Sequence, residues 1–324
     1  MTSRRVGTAL VLLTLGATAC SSVRSATSTS TPTTTVHPPS TTTTLSTTTL
    51  PTTATTRPSP PHVMVVMMEN KGLTQVIGQS DQPFTNSLAT RNGLATQSYA
   101  FGHPSLPNYL DIVSGSNQGV TDDNPPSSHR FPATATLADQ LAAAGYSAKA
   151  YAENLPPDPT TSAGNYAVRH VPWEYFPSAK ISVVDASLLL SDLDGAHAPD
   201  FVWYTPNVID DEHNGTVEQG DAFLSRLIPS VQSTPWYRSG GQIIVEWDES
   251  DADNAGISGG DGGHIPTIVV SKALQAHPRQ DPIPVDTAGI LRSIEDAYGL
   301  AHLGAAANAA NGSIDTLLST AAHP

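Results

Sequence analysis

The sequence predicts an α/β domain with a mostly parallel central sheet and helices on both faces. Short runs of consecutive apolar residues predict the strands, and stretches of helical spacing between them predict the helices. Unbroken apolar runs of this length suit strands covered on both sides. Their alternation with helices suits parallel crossover connections. The strand candidates are residues 63–68 (VMVVMM), 148–151, 201–204 (FVWY), 242–247 (QIIVEW) and 267–270 (TIVV). Helical spacing marks residues 136–144, 217–231 and 287–298, and Gly145 fits a helix C-terminus. Leu106, Leu110 and Val113 define a further helix, with Pro107 suited to its first turn.

The 324 residues divide into three parts. Residues 1–20 read as an export signal: Arg4 and Arg5 precede an apolar run that is short for a membrane span. The run ends at Ala17-Thr18-Ala19-Cys20, which fits either a signal-peptidase site or a lipoprotein signal lipidated at Cys20. The protein is thus expected outside the cytoplasm, secreted or in membrane contact through a lipid anchor. Cys20 is the only cysteine, so no intramolecular disulfide can form. Residues 21–61 are rich in Ser, Thr and Pro and lack the apolar side chains that offset chain entropy, so a disordered linker is expected. Residues 62–324 are the folded domain. A formal charge of −14 argues against nucleic acid as a partner. Oligomeric state leaves no signature, since no heptad run is present.

In parallel sheets, ligands bind at the carboxyl ends of strands. Glu69-Asn70 follow the first strand, Asp211 and His213 lie after the third, and Asp248-Glu249 follow the fourth. His264, behind the glycines of residues 259–263, can fold back onto the same rim. Each residue alone fits a solvated loop carboxylate or a histidine bonded to backbone. Together, Glu69, Asn70, Asp248 and Glu249 can supply oxygens to one divalent metal ion. Asp211, His213 and His264 can hold a second ion or contact the substrate. Ser105, in the segment Gly102-His103-Pro104-Ser105-Leu106-Pro107-Asn108-Tyr109, starts the predicted helix. Ser105 there is a plain cap or a nucleophile placed where backbone N–H groups attract phosphate. Asn108, one turn on, can donate its amide to a phosphoryl oxygen.

Five segments occur in order: the Glu69-Asn70 strand end, the Ser105 segment, Thr205-Pro206-Asn207 with Asp211-Glu212-His213, Trp247-Asp248-Glu249, and Gly262-Gly263-His264-Ile265-Pro266. Together they resemble the phosphoesterase family of bacterial acid phosphatases and phosphatidylcholine-type phospholipases C, within the alkaline phosphatase superfamily. The resemblance implies an alkaline-phosphatase-like fold for residues 62–324 and hydrolysis of phosphoric esters through a phosphoserine at Ser105. It implies one or two divalent ions. Glu69, Asn70, Ser105, Asp248 and Glu249 would hold the first, and Asp211, His213 and His264 the second, with Asn108 contacting the phosphoryl group. His213 or His264 would protonate the leaving group. Glu153, Tyr166 and His170 fall in a segment that resembles the pocket wall, although Tyr166 and His170 read singly are packing residues. The expected substrate is a small-molecule or lipid phosphoester, with a phosphatase acting on monoesters favoured by the short chain. Phospholipase C or another phosphodiesterase is the alternative within the class. A sulfatase is less compatible, because the lone cysteine lies in the signal. From a different class, a surface lipoprotein could bind a phosphorylated ligand without turnover.

Overall fold

The computed structural model describes residues 61–318. The expected signal, Cys20 and the expected linker up to residue 60 lie outside them. The strands are β1 (His62–Met68), β2 (Gly93–Tyr99), β3 (Ala148–Ala152), β4 (Ser182–Asp185), β5 (Phe201–Thr205), β6 (Gly241–Trp247), β7 (His264–Val270), β8 (Arg279–Asp281) and β9 (Val285–Asp286). They form one sheet in the order β4-β3-β5-β1-β6-β7-β2-β8, with β9 also paired to β2. Every pairing is parallel except those of β7, which runs antiparallel to both β6 and β2. The reversal has a consequence for the rim. It puts the start of β7, His264, level with the carboxyl ends of its neighbours, where it pairs with Tyr99.

The helices are α1 (Leu73–Val76), α2 (Pro83–Arg91), α3 (Ser105–Ser114), α4 (Leu137–Ala143), α5 (Leu189–Asp194), α6 (Val217–Gln232), α7 (Pro235–Arg238), α8 (Lys272–Ala276) and α9 (Thr287–Tyr298). They cover both faces, and β1 shows why its run is continuously apolar. Val63, Val65 and Met67 pack with Leu110 of α3, Leu141 of α4 and Ile290 of α9. Met64, Val66 and Met68 pack with Leu88 of α2, Leu193 of α5 and Phe223 of α6. Neither side of the strand meets water, so neither needs polar residues. The helix starts are fixed locally. Thr136 and Thr216 form capping boxes with Asp139 and Gln219, and Asp286 caps α9 through Gly289 N–H.

Candidate active site

The site is assembled by the carboxyl ends of β1, β5 and β6 and the N-terminus of α3. Backbone bonds lock the strand ends together. Glu69 N–H donates to the Asp211 carbonyl (2.8 Å) and Asp248 N–H to the Met68 carbonyl (3.0 Å). Asn70 adopts a left-handed φ of 59° and donates its N–H to Asp248 Oδ1 (3.0 Å). Adjacent strands thereby carry Glu69, Asp211, Asp248 and Glu249 into one buried nest.

Ser105 is the first residue of α3 and is buried. Its hydroxyl donates to Glu69 Oε2 and to Glu249 Oε1, each at 3.2 Å. The other oxygen of Glu249 meets His103 Nδ1, and that ring is one-third exposed at the mouth. The other oxygen of Glu69 accepts from Tyr109 O–H (2.6 Å), one turn along α3. Asp123 accepts from Leu106 N–H (2.9 Å), so it satisfies a free amide beside the serine.

On the β5 side lies His170, 1% exposed, between Glu69 Oε1 (3.0 Å from Nε2) and Asp211 Oδ2 (3.1 Å from Nδ1). The contact to Glu69 is close but off the hydrogen-bonding direction, and Nε2 has no hydrogen-bond partner. His213 stands beside it, ring centroids 5.4 Å apart. Arg169 Nη2 reaches His213 Nε2 at 2.8 Å. A guanidinium only donates, so that nitrogen is the acceptor and the imidazole proton sits on Nδ1, toward Asn214 Oδ1 (2.8 Å).

The electrostatics follow from crowding. Burial and the charges of Asp248 and Asp211 raise the Glu69 carboxyl well above the usual range. Burial raises Asp211 and Asp248 to about 8 and Glu249 to about 7. Burial and then Arg169 push His170 well below the ordinary imidazole value.

Several residues chosen from sequence do not join the nest by their side chains. Asn108 is fully committed to backbone: it accepts from Gly102 N–H (2.9 Å) and donates to the carbonyls of Gly102 (2.7 Å) and Pro104 (3.4 Å). It staples the turn before Ser105 and has no amide proton turned to a phosphoryl group. His264 reaches the rim, but its ring bonds the Thr96 carbonyl (3.0 Å) and stacks on Tyr99. Glu153 lies further out, bonded to Tyr204 O–H and Asn207. Tyr166 bonds Pro159 and packs, as read singly. His170 departs from its single-residue reading, because it lies between two site carboxylates. Tyr109, Asp123 and Arg169 carried no signal of their own in the sequence. His103 and Tyr109 did lie within the quoted Ser105 segment, where proximity to the serine could have singled them out.

The profile of the Phosphoesterase family matches residues 78–301. The chain belongs to the phosphoesterase family. This phosphoesterase is 32% identical over 252 residues to the phosphatidylinositol-3-phosphatase of Mycobacterium tuberculosis, covering 76% of this chain and 80% of that relative. It is 25% identical over 178 residues to an acid phosphatase of Aspergillus fumigatus, covering 50% of this chain and 39% of that protein. Among solved structures, a protein of the alkaline phosphatase superfamily from Vibrio parahaemolyticus superposes with a TM-score of 0.55 at 15% identity, covering 75% of this chain and 67% of that one. That likeness is one of fold. The phosphoesterase is accordingly an enzyme, a hydrolase of phosphoric esters.

The donor set of the phosphoesterase fits a divalent cation. Ligand atoms of Glu69, His170 and His213 lie within 4.8 Å of one another. Asp248 Oδ2 and His170 Nε2 are buried without a hydrogen-bond partner, as unused ligand atoms would be. Mixed carboxylate and imidazole donors suit a borderline divalent ion.

Proposed function

We propose that this phosphoesterase is a metal-dependent phosphatase that hydrolyses phosphomonoesters through a phosphoserine at Ser105. The observation that carries the reading is the Ser105 hydroxyl, buried at a helix N-terminus and hydrogen-bonded to two carboxylates at 3.2 Å. A structural cap would bond backbone amides of its own helix, whereas Pro104 holds the cap position here and the Ser105 hydroxyl, one residue on, bonds the carboxylates of Glu69 and Glu249. The names of the relatives, a phosphatidylinositol-3-phosphatase and acid phosphatases, favour a monoester over a phospholipase C substrate. A soluble phosphomonoester and the phosphorylated headgroup of a lipid present the same dianion to the site.

Glu69, Ser105, Asp248 and Glu249 would hold one divalent ion, with His170, His213 and Asp211 able to hold a second. Such an ion supplies stabilisation of the serine alkoxide and of charge on the phosphoryl oxygens. The chain's own groups account for the protons. Ser105 Oγ attacks phosphorus in line as its proton passes to Glu249 Oε1, and the bond to the leaving oxygen breaks. Glu249 Oε2 touches His103 Nδ1, so a proton can be handed from the buried serine to the mouth, where the leaving oxygen needs it. Arg169, beside both Asp123 and His213, brings positive charge to the dianion. Water then attacks the phosphoserine, with His103 as base and Ser105 as leaving group.

The test is Ser105→Ala assayed on p-nitrophenyl phosphate, its bis-ester and a choline-lipid analogue. The expected result is turnover of the monoester by the wild type, acid-stable labelling of its serine by radioactive substrate, and loss of both in a folded variant. Normal turnover by Ser105→Ala, or preferential hydrolysis of the choline lipid by the wild type, would overturn the reading.

A further inference from the structure

A second group of buried acids reaches from the serine helix to the start of α9 and borders the nest described above at Glu246. Asp111 is on α3, two turns beyond the first residue of that helix, and Asp286 caps α9. Both line a cavity of about 160 Å³, together with Ser258, Gly260, Asn308 and Asn311. Asp111 is 1% exposed, lines this cavity, and leaves Oδ2 without any hydrogen-bond partner. Glu246, also 1% exposed, stands on the adjoining face of β6 with Oε2 likewise unpartnered. Asp286 is 8% exposed and has its Oδ1 engaged by Gly289 N–H (3.0 Å). The side-chain charge acting on Asp111 is that of Asp286, and those acting on Glu246 are Asp248 of the nest, Asp111 and Asp286, all carboxylates. Among the described residues, no Lys, Arg or His forms an ion pair with Asp111, Glu246 or Asp286.

We propose that this cavity binds a hard divalent cation through Asp111 and Asp286, at a site separate from the one beside Ser105. The donors are carboxylate oxygens from α3 and from the start of α9, and Ser258, Asn308 and Asn311 add further polar side chains to the lining. That combination suits calcium, which accepts six to eight oxygens in irregular geometry. The cavity has room for an ion with several waters, each of which needs only a few tens of Å³. The ion joins two segments that hold the serine, in a cavity lined by a third. Asp111 belongs to α3 itself, and Asp286 to the start of α9. Gly260 belongs to the glycine loop, whose Asp261 N–H donates to the Phe101 carbonyl (3.1 Å) beside the Gly102 turn. A Cβ on Gly262 would stand 2.6 Å from Gly102 N, so loop and turn pack without slack. The bound cation is therefore a brace for the serine turn.

The inference does not rest on the reaction proposed above, and its test reads binding rather than turnover. Metal-stripped full-length protein is dialysed against calcium, and bound calcium is counted by atomic emission for the wild type, Asp111→Asn and Asp248→Asn. Melting temperature is recorded alongside. Asp111→Asn is expected to hold one equivalent less than the wild type and to lose the calcium-dependent rise in melting temperature. Asp248→Asn is expected to keep that equivalent and that rise. Equal counts for Asp111→Asn and the wild type would overturn the proposal. So would loss of all calcium in Asp248→Asn, since the only site would then be the one beside Ser105. If Asp111→Asn does not fold, Asp286→Asn carries the same test, because asparagine caps a helix as well as aspartate does.

Discussion

His213 and His264 read alike in the sequence, each near a strand end at the acidic rim, yet they are in different chemical settings. A ring nitrogen of His213 lies within 4.8 Å of ligand atoms of Glu69 and His170, and its Nε2 lone pair faces a group that only donates. His264 has its ring nitrogen on a backbone carbonyl and its face on Tyr99. His213→Gln is therefore expected to weaken metal binding by at least about 10–100-fold, the loss seen when even a ligand's hydrogen-bond partner is removed. His264→Gln should bind metal as the wild type does. Calorimetric titration of both variants with zinc or manganese checks this, and equal losses would contradict the assignment. His103 belongs to the same scale. If it returns the serine proton to the leaving oxygen, His103→Gln should slow alkyl phosphates by about 10²-fold or more. Phosphorylation of the serine by p-nitrophenyl phosphate, read as the burst of nitrophenolate, should slow far less, because nitrophenolate departs without a proton, whereas hydrolysis of the phosphoserine should slow for both substrates alike. An equal loss in the phosphorylation step of both substrates would remove His103 from leaving-group protonation.

At the scale of elements, the Ser105 turn and α3 are held by Asn108, whose three hydrogen bonds close the turn from Gly102 to Pro104. Asn108→Ala leaves Gly102 N–H without that partner, at a cost of about 1–3 kcal/mol. Urea denaturation should show that loss of stability together with slower turnover. Slower turnover with unchanged stability would instead mark Asn108 as a direct phosphoryl contact. The elements most legible in the sequence were those whose environment is uniform along their length. β1, β5 and β6 are buried on both faces, so the apolar runs found them to within a residue or so. α9 spans Thr287–Tyr298, as its spacing requires. β2 escaped notice because its Thr96, Gln97 and Ser98 break the run. Ser98 is nonetheless buried, its hydroxyl bonded to Thr267 Oγ1 on β7 (2.7 Å). β4 and β9 are too short to carry a period. The carboxylate cluster was legible where acids follow strand ends, as with Glu69, Asp248 and Glu249. Arg169 was not legible, and His170 only through the resemblance, because both lie in one 3₁₀ turn and their place in the cluster comes from which distant carboxylates they meet.

Across the whole molecule, buried acids give stability a pH dependence of unusual sign. Burial raises Asp211, Asp248 and Glu212 to about 8 and Asp111 to about 7. The same groups titrate near 4 in the unfolded chain. Between those values the folded state binds more protons than the unfolded state, so stability falls as pH rises. The stability present below about pH 4 from these groups is lost progressively until the folded carboxyls ionise near pH 7–8. The surface carboxylates Asp122, Asp158 and Asp185 shift the other way through local hydrogen bonds, and their contribution is lost on acidification. They set the acid side of the profile. Metal-free protein should accordingly melt at progressively lower temperature from pH 5 to pH 8. Divalent cation should reverse that trend. Its ligands must be deprotonated to bind, so its stabilising effect grows as pH rises, and most where the metal-free protein is weakest. Calorimetric scans across this range, in chelator and in excess metal, should give slopes of opposite sign. A flat profile in chelator would mean that the acids carry no net strain, and the argument that they were gathered to hold cations would lose its physical basis.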